Sequence, residues 1–510
     1  MASIGILIAI IVYLMMMVYV GFYFSKGEGK EDSTDHFYLG GRQLGPFVTA
    51  MSAEASDMSS WLLMGLPGVA YLSGTADAAW TAIGLAIGTY VNWLVVAKRL
   101  RNYTHVCGNS TTLPLFFSNR YRDNKRILSV IAALLIIIFF VPYTASGFAA
   151  CGKLFANLFG MDYLPAMLIS AIVIVAYTTL GGFLAASTTD FVQSIVMTIA
   201  IVVVFGFGIS KVGSFSAVMD NAKSMAGYFS LTHTHDVATG TASPYSLLQI
   251  FSTLAWGLGY FGMPHVLLRF MAIGDANKLK LSRRVATVWV VISMAVSVFI
   301  GVIGNAMTKA GVLPTLKDPE TIILVVSDLI SKHGVLATII AGLILAGILA
   351  ATMSTADSQL LAASSSASQN ILKEVFMKDM SEKTGMLIAR ITVLVIALIG
   401  VFIARNPDSS VFQIVSFAWA GFGASFGPLV LLALFWKRST FQGALCGMIS
   451  GGVMVFVWKF LIRPMGGALG IYELLPAFLL GLAVNVIVSL LTPAPSREVQ
   501  DEFDKVASMK

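Results

Sequence analysis

The chain has 510 residues, 57% of them apolar and 12% charged, with a net charge of +7 and a mean hydropathy of +0.83. A soluble domain carries about a quarter charged residues, so this composition excludes an ordinary soluble enzyme or binding module and points to a polytopic membrane protein. The positive balance would suggest nucleic acid in a soluble protein; here it falls in short loops between apolar runs, where it sets topology.

A spanning helix takes about 20 mostly apolar residues. On that measure the sequence predicts thirteen spans: 4–25, 44–73, 77–97, 127–154, 162–181, 190–211, 245–267, 286–306, 336–372, 386–404, 411–435, 442–462 and 472–492. The first has no positive residue before it and Lys26 and Lys30 after it, so it reads as a retained helix with its N-terminus outside. Every second loop is then cytoplasmic. Those loops hold Lys98, Arg99, Arg101, Arg120, Arg122, Lys125, Arg126, Lys278, Lys280, Arg283, Arg284, Lys373, Lys378, Lys437 and Arg438, whereas the outer ones hold only Lys223, Lys309, Lys317, Lys332, Arg405 and Arg463. This asymmetry predicts a C-terminus inside.

The second span contains "MSAEASDMSSWLLMGLPG" (51–68), with Glu54, Asp57 and a Gly-x-Pro-Gly breaker inside an apolar run. A carboxylate at bilayer depth is costly, so both should face the bundle interior or a wet cavity, and their spacing of three sets them on one helical face. A cation site and a structural salt bridge, for instance to Arg42 in "GGRQLG", both meet that requirement. The seventh span, "LAWGLGYFGMPHVLLRF" (254–270), is interrupted in the same way by Gly257, Gly259, Gly262 and Pro264. Irregular backbone at that depth is tolerated only where protein or a cavity surrounds it, so both interruptions mark a site.

Spans two to six open with one interruption and spans seven to eleven with the other. A five-span unit has odd parity, so the two units run in opposite senses, as in an inverted repeat with its binding site between the broken helices. The expected organisation is an N-terminal helix and first cytoplasmic loop in 1–43, one five-helix repeat in 44–211, a second in 245–435, and two C-terminal helices with a short tail in 442–510.

The ninth span, "GLILAGILAATMSTADSQLLAASSSASQN" (342–370), begins with small residues and ends crowded with hydroxyls around Ser354, Thr355, Asp357 and Ser358. Close helix packing accounts for such a stretch. So does a site for a small dehydrated cation such as sodium, which needs several neutral oxygens: hydroxyls from "AATMSTAD" and carbonyls from an unwound "AEASDMS". Trp61, Tyr143, Trp256 and Tyr260 lie at or near the two interruptions and suit the apolar wall of a small-molecule site. Other signals are bland: "HTH" at His233 to His235 falls in an outer loop, "GFGASFG" from Gly421 lies in a span, and the "NST" sequon at Asn109 is on the cytoplasmic side. Cys107, Cys151 and Cys446 are too scattered for a disulfide framework or a metal cluster.

The stretches "YLGGRQLGPFVTAMSAEASDMSSWLLMGLPG" (38–68), "FFVPYTASG" (139–147), "LGGFLAASTTDFVQ" (180–193), "LAWGLGYFGMPH" (254–265) and "AATMSTADSQLL" (350–361) together resemble the sodium:solute symporter family, and within it the bacterial sodium/proline symporters. The resemblance implies an all-α fold of about thirteen transmembrane helices around a 5+5 inverted-repeat core of the leucine-transporter type, in a bacterial cell membrane. It implies sodium ligands at Ala55, Met58, Ala351, Ser354 and Thr355. It further implies coupling roles for Asp57, Ser59, Arg42 and Asp190, and a solute pocket of Trp61, Tyr143, Trp256 and Tyr260. The chain departs from the proline-symporter pattern at Glu54, Ser60 and Met263, where that pattern has glycine, glycine and glutamine.

The expected function is sodium-coupled import of L-proline by alternating access, with sodium as coupling ion, no cofactor and no nucleic-acid partner. A symporter for another amino acid or a monocarboxylate is the rival within the class. A cation channel would not need two offset broken helices beside an aromatic pocket, and a membrane sensor would need a signalling domain. An enzyme would need a nucleophile and base or a metal cluster, and neither stands out.

Overall fold

The computed structural model describes residues 4–28, 38–180, 183–376 and 380–509; Lys30, Gly181, Gly182 and Lys378 lie outside them. Among the described residues nine helices are long and apolar enough to cross a membrane. They are α4 (Thr75–Val106), α6 (Ile127–Phe159), α8 (Phe183–Val212), α12 (Ala276–Lys309), α14 (Val335–Glu374), α15 (Lys383–Ala404), α16 (Val411–Phe435), α17 (Phe441–Met465) and α18 (Leu474–Leu491). Two more, α1 (Ile4–Glu28) and α7 (Tyr163–Leu180), are apolar over shorter stretches, and α5 (Leu113–Arg120), α9 (Phe215–Ser224) and α13 (Ile322–Ser331) are short connecting helices. The perimeter exposes Ile172, Leu398 and Leu491 at 69%, 70% and 80%, as the lipid-facing side of a membrane bundle does.

The two interrupted spans complete the bundle. In the first, α2 (Pro46–Ser60) starts on an extended Gly45 with Pro46 in its first turn, where the missing N–H costs nothing. It stays helical through Met58 and breaks at a single residue: Ser59 has φ 35° and ψ −171°. A wide π-helical turn over Trp61–Gly65 then leads into α3 (Leu66–Ser73). The expected unwinding of "AEASDMS" is thus confined to one residue. Nor does Gly-x-Pro-Gly break the chain: Pro67 falls in the first turn of α3, and Gly65 and Gly68 serve packing. A Cβ would come within 3.0 Å of Phe412 at Gly65 and 3.1 Å of Glu320 at Gly68.

In the second, α10 (Leu247–Leu254) is capped reciprocally by Ser246 and Gln249. The chain tightens into a 3-10 turn over Ala255–Gly262, extends at Met263 (φ −74°, ψ 108°), and resumes as α11 (Pro264–Ala272). Gly257, Gly259 and Gly262 are not in the left-handed region. They permit contact instead: Gly257 lies on Gly84 and Gly88 of α4, and Gly259 on the indole of Trp419 in α16.

The two ends of the bundle differ. At one, Leu44 and Ile273 form a β-bridge, with Leu44 N–H donating to Ala272 O (3.1 Å) and Gly274 N–H to Leu44 O (3.1 Å), so the feet of the broken spans are tied together. A short helix, α19 (Arg497–Ser508), packs across the same end through Val499, Phe503 and Val506, and Arg122 reaches Glu498 at 3.0 Å and Glu502 at 2.8 Å. At the other end a cavity of about 1100 Å³ opens between α3, α10, residues 317–320 and the start of α16.

Candidate functional site

The chemistry gathers where the two interruptions meet. Asp57 is fully buried two residues before the break at Ser59. Its backbone carbonyl accepts from the Tyr143 hydroxyl (2.9 Å) and the Trp61 indole N–H (3.3 Å), and its Oδ2 accepts from the Tyr260 hydroxyl at 2.6 Å. Trp256 completes the group, its ring 6.0 Å from Trp61. All four aromatic residues singled out in the sequence therefore converge on the Asp57 turn. The structure adds three that the sequence did not single out: Phe412, 5.3 Å from Trp256, Tyr472, stacked on it at 5.2 Å, and Trp419, which donates to Trp256 O at 2.8 Å. Trp256 and Phe412 line the open cavity.

Beside the break, α2 meets α14. Ser354 Oγ donates to Ala55 O (2.9 Å) and Ala351 O (3.2 Å), and Thr355 Oγ1 donates to Ala351 O (3.1 Å). Two hydroxyls and two carbonyls thus share one buried spot, a set of neutral oxygens that suits a monovalent cation better than a divalent one. The Met58 carbonyl is used differently, accepting from the Trp61 backbone N–H across the break. Ser59 Oγ accepts from the same N–H at 3.2 Å.

Glu54 is held without a counter-charge: Trp93 Nε1 donates to Oε1 at 2.8 Å and Thr89 Oγ1 to Oε2 at 3.4 Å. Arg42 bonds elsewhere, to Met271 O (2.6 Å) and Ser110 O (2.8 Å) at the closed end. A salt bridge between Glu54 and Arg42 is not formed, because Arg42, itself left-handed at φ 56°, closes the bundle end below α2.

Asp190 is also apart from the oxygen cluster. Its Oδ2 accepts from Ser52 Oγ (2.6 Å) and from Arg269 Nη2 (3.1 Å). Arg269, 1% exposed, also donates to Ser52 Oγ (3.0 Å), to His265 O (2.9 Å) and to Ser358, whose hydroxyl reaches Asp357 Oδ1 at 3.3 Å. One guanidinium and two carboxylates thus join α2, α8, α11 and α14 between the aromatic group and the closed end. Arg269 was missed in the sequence, although an arginine before the end of an interrupted span is the signal that intramembrane charge provides.

The remaining motifs are structural. Residues His233–His235 pair with Ala242–Pro244 in a short hairpin, and no metal-binding group of three His, Cys, Asp or Glu side chains occurs among the described residues. Gly421, Gly423 and Gly427 fit α16 against Phe139, Gly259 and Phe478. Asn109 Oδ1 accepts from Arg42 Nε at 3.2 Å.

In overall structure the chain is similar to a sodium-coupled sialic acid symporter in a substrate-bound outward-open state, with a TM-score of 0.78, 18% identity, and coverage of 97% of this chain and 99% of that one. Mhp1, a nucleobase-cation-symport-1 family transporter, aligns with a TM-score of 0.55, 14% identity, and coverage of 92% and 98%. The fold is therefore of the leucine-transporter type, an inverted-repeat core in a multi-pass membrane protein. In sequence the chain is 40% identical to the osmoregulated proline transporter OpuE of Bacillus subtilis over 97% of this chain and 96% of that protein. It is also 40% identical to a sodium/proline symporter of Staphylococcus aureus, over 98% and 95%. The family model for sodium:solute symporters matches residues 37–451, and the chain belongs to the sodium:solute symporter family.

Proposed function

We propose that this chain imports L-proline with sodium by alternating access, working as a secondary active transporter and not as an enzyme. The observation that carries the sodium part is the convergence of Ala55 O, Ala351 O and the Ser354 and Thr355 hydroxyls beside a broken helix. Ala55, Met58, Ala351, Ser354 and Thr355 are assigned to sodium, with Met58 O turning inward when the ion binds. Asp57, Ser59, Arg42 and Asp190 are assigned to coupling. Near-full-length identity to proteins named for proline transport supports the solute, as does the aromatic group of Trp61, Tyr143, Trp256 and Tyr260, whose flat walls suit a small rigid ring.

We place the protein in a bacterial cell membrane through thirteen spans, with its N-terminus outside and C-terminus in the cytoplasm. The large cavity then faces outward, and the end tied by Leu44, Arg42 and Arg269 faces the cytoplasm. Uptake of labelled proline into proteoliposomes, with a panel of other amino acids and monocarboxylates as competitors, tests the reading. Uptake should require an inward sodium gradient and vanish when potassium replaces sodium at fixed pH. Uptake indifferent to that exchange but driven by a proton gradient would refute sodium coupling, and preference for another solute would refute proline.

A further inference from the structure

Next to the oxygen cluster lies a small cavity of about 10 Å³, lined by Ser59, Ser60, Tyr143, Thr144, Thr355 and Gln359 among others. That is room for one small polar atom, a water or a carboxylate oxygen. Its hydrogen-bonding character follows from what is already engaged. Thr144 Oγ1 donates to Gln359 Oε1 at 3.2 Å, Ser146 Oγ donates to Tyr143 O at 2.6 Å, and Thr355 Oγ1 donates to Ala351 O at 3.1 Å. Two buried side-chain groups on this wall have no partner: Ser60 Oγ and Gln359 Nε2. Thr144 holds the acceptor end of the Gln359 amide, so the donor end is the one left over. Ser60 also opens the second half of the broken span, so the cavity meets the positive end of that half-helix. The Gln359 amide nitrogen can only donate, and beside a hydroxyl free to donate and a helix N-terminus it fits an anionic group.

We propose that this cavity receives the carboxylate of the transported amino acid, with Gln359 Nε2 as its main side-chain donor and Ser60 Oγ as an additional one. The assignment rests on the amino-acid reading above and deepens it. It places the carboxylate beside Thr355, and hence next to the bound sodium. The two opposite charges then strengthen each other in a poorly screened site, so each ligand tightens the other. Ser60 stands where the proline-symporter pattern has glycine, so its contribution is an addition to that of Gln359. Thr144 is a positioning residue, acting through the amide it holds.

The test compares L-proline with L-prolinamide, which lacks the negative charge, as competitors of labelled proline binding at saturating sodium. The parent should prefer proline strongly. Q359L should lose about 10- to 100-fold in proline affinity, as expected for a hydrogen bond to a charged group. Prolinamide affinity should barely change, so the preference collapses. Q359E should lose more than Q359L, while S60G and T144V should lose less. Sodium binding without solute reports folding and should stay near the parent's in each variant. Equal loss of proline and prolinamide, or a preference that survives Q359L and Q359E, would overturn the assignment and leave the cavity as a water site. If the parent ignores proline but takes another amino acid, the reading of the solute fails and the same acid and amide pair of that solute tests the cavity. A solute without a carboxylate would overturn both.

Discussion

Asp57 is addressed from two separate elements at once, by Tyr143 of α6 through its carbonyl and by Tyr260 of the 3-10 turn through its carboxylate. Residues that share a buried bond are not independent, so Asp57→Asn and Tyr260→Phe should show a coupling energy of about 0.5–3 kcal/mol in a double-mutant cycle on sodium affinity. Additive losses would mean that the 2.6 Å bond has no part in binding the ion. At the oxygen cluster, Ser354→Ala and Thr355→Ala each remove a hydroxyl, and the half-saturating sodium concentration should rise about tenfold, roughly 1.4 kcal/mol. Unchanged sodium dependence in both would reduce those hydroxyls to packing. The Ser354 and Thr355 hydroxyls were legible in the sequence because their residue types carry the chemistry wherever the chain goes, whereas every residue has a carbonyl and those of Ala55 and Ala351 came only from the family resemblance. The partners of Glu54 and Arg269 were not legible, since Trp93 and Ser52 come close only once separate helices have packed.

At the scale of elements, glycine, proline and buried carboxylates located the interrupted spans; the backbone leaves helical angles at Ser59 and Met263, while Gly257, Gly259 and Gly262 lie in the 3-10 turn without taking a left-handed φ. Propensity marks glycine as flexible; whether that freedom serves a turn or a close approach depends on a neighbour that the local sequence does not name. Gly259 illustrates this, because a Cβ there would collide with the indole of Trp419, which in turn holds Trp256 O. Gly259→Ala should therefore cost about 1–3 kcal/mol of stability through overpacking and weaken solute binding with it. Gly206 has nothing within 4 Å of such a Cβ, so Gly206→Ala is the matched control. Melting of the purified variants in detergent, followed by tryptophan fluorescence, checks the pair, and equal midpoints would dismiss the packing account.

At the scale of the molecule, the assigned orientation puts Thr239 outside and Lys505 inside, both exposed. With Cys107, Cys151 and Cys446 replaced by serine, a membrane-impermeant thiol reagent on intact cells should label Thr239→Cys and spare Lys505→Cys; the opposite pattern would invert the topology. The joint formed by Arg269, Asp190, Asp357, Ser52 and Ser358 has a consequence for speed. Water can replace every bond in it, so parting those groups exchanges protein contacts for hydration, with a net change far smaller than the gross energies involved. A joint of leucines would resist wetting and stay shut. This one lies within reach of a few kcal/mol, the scale on which two bound ligands redistribute a population between conformations.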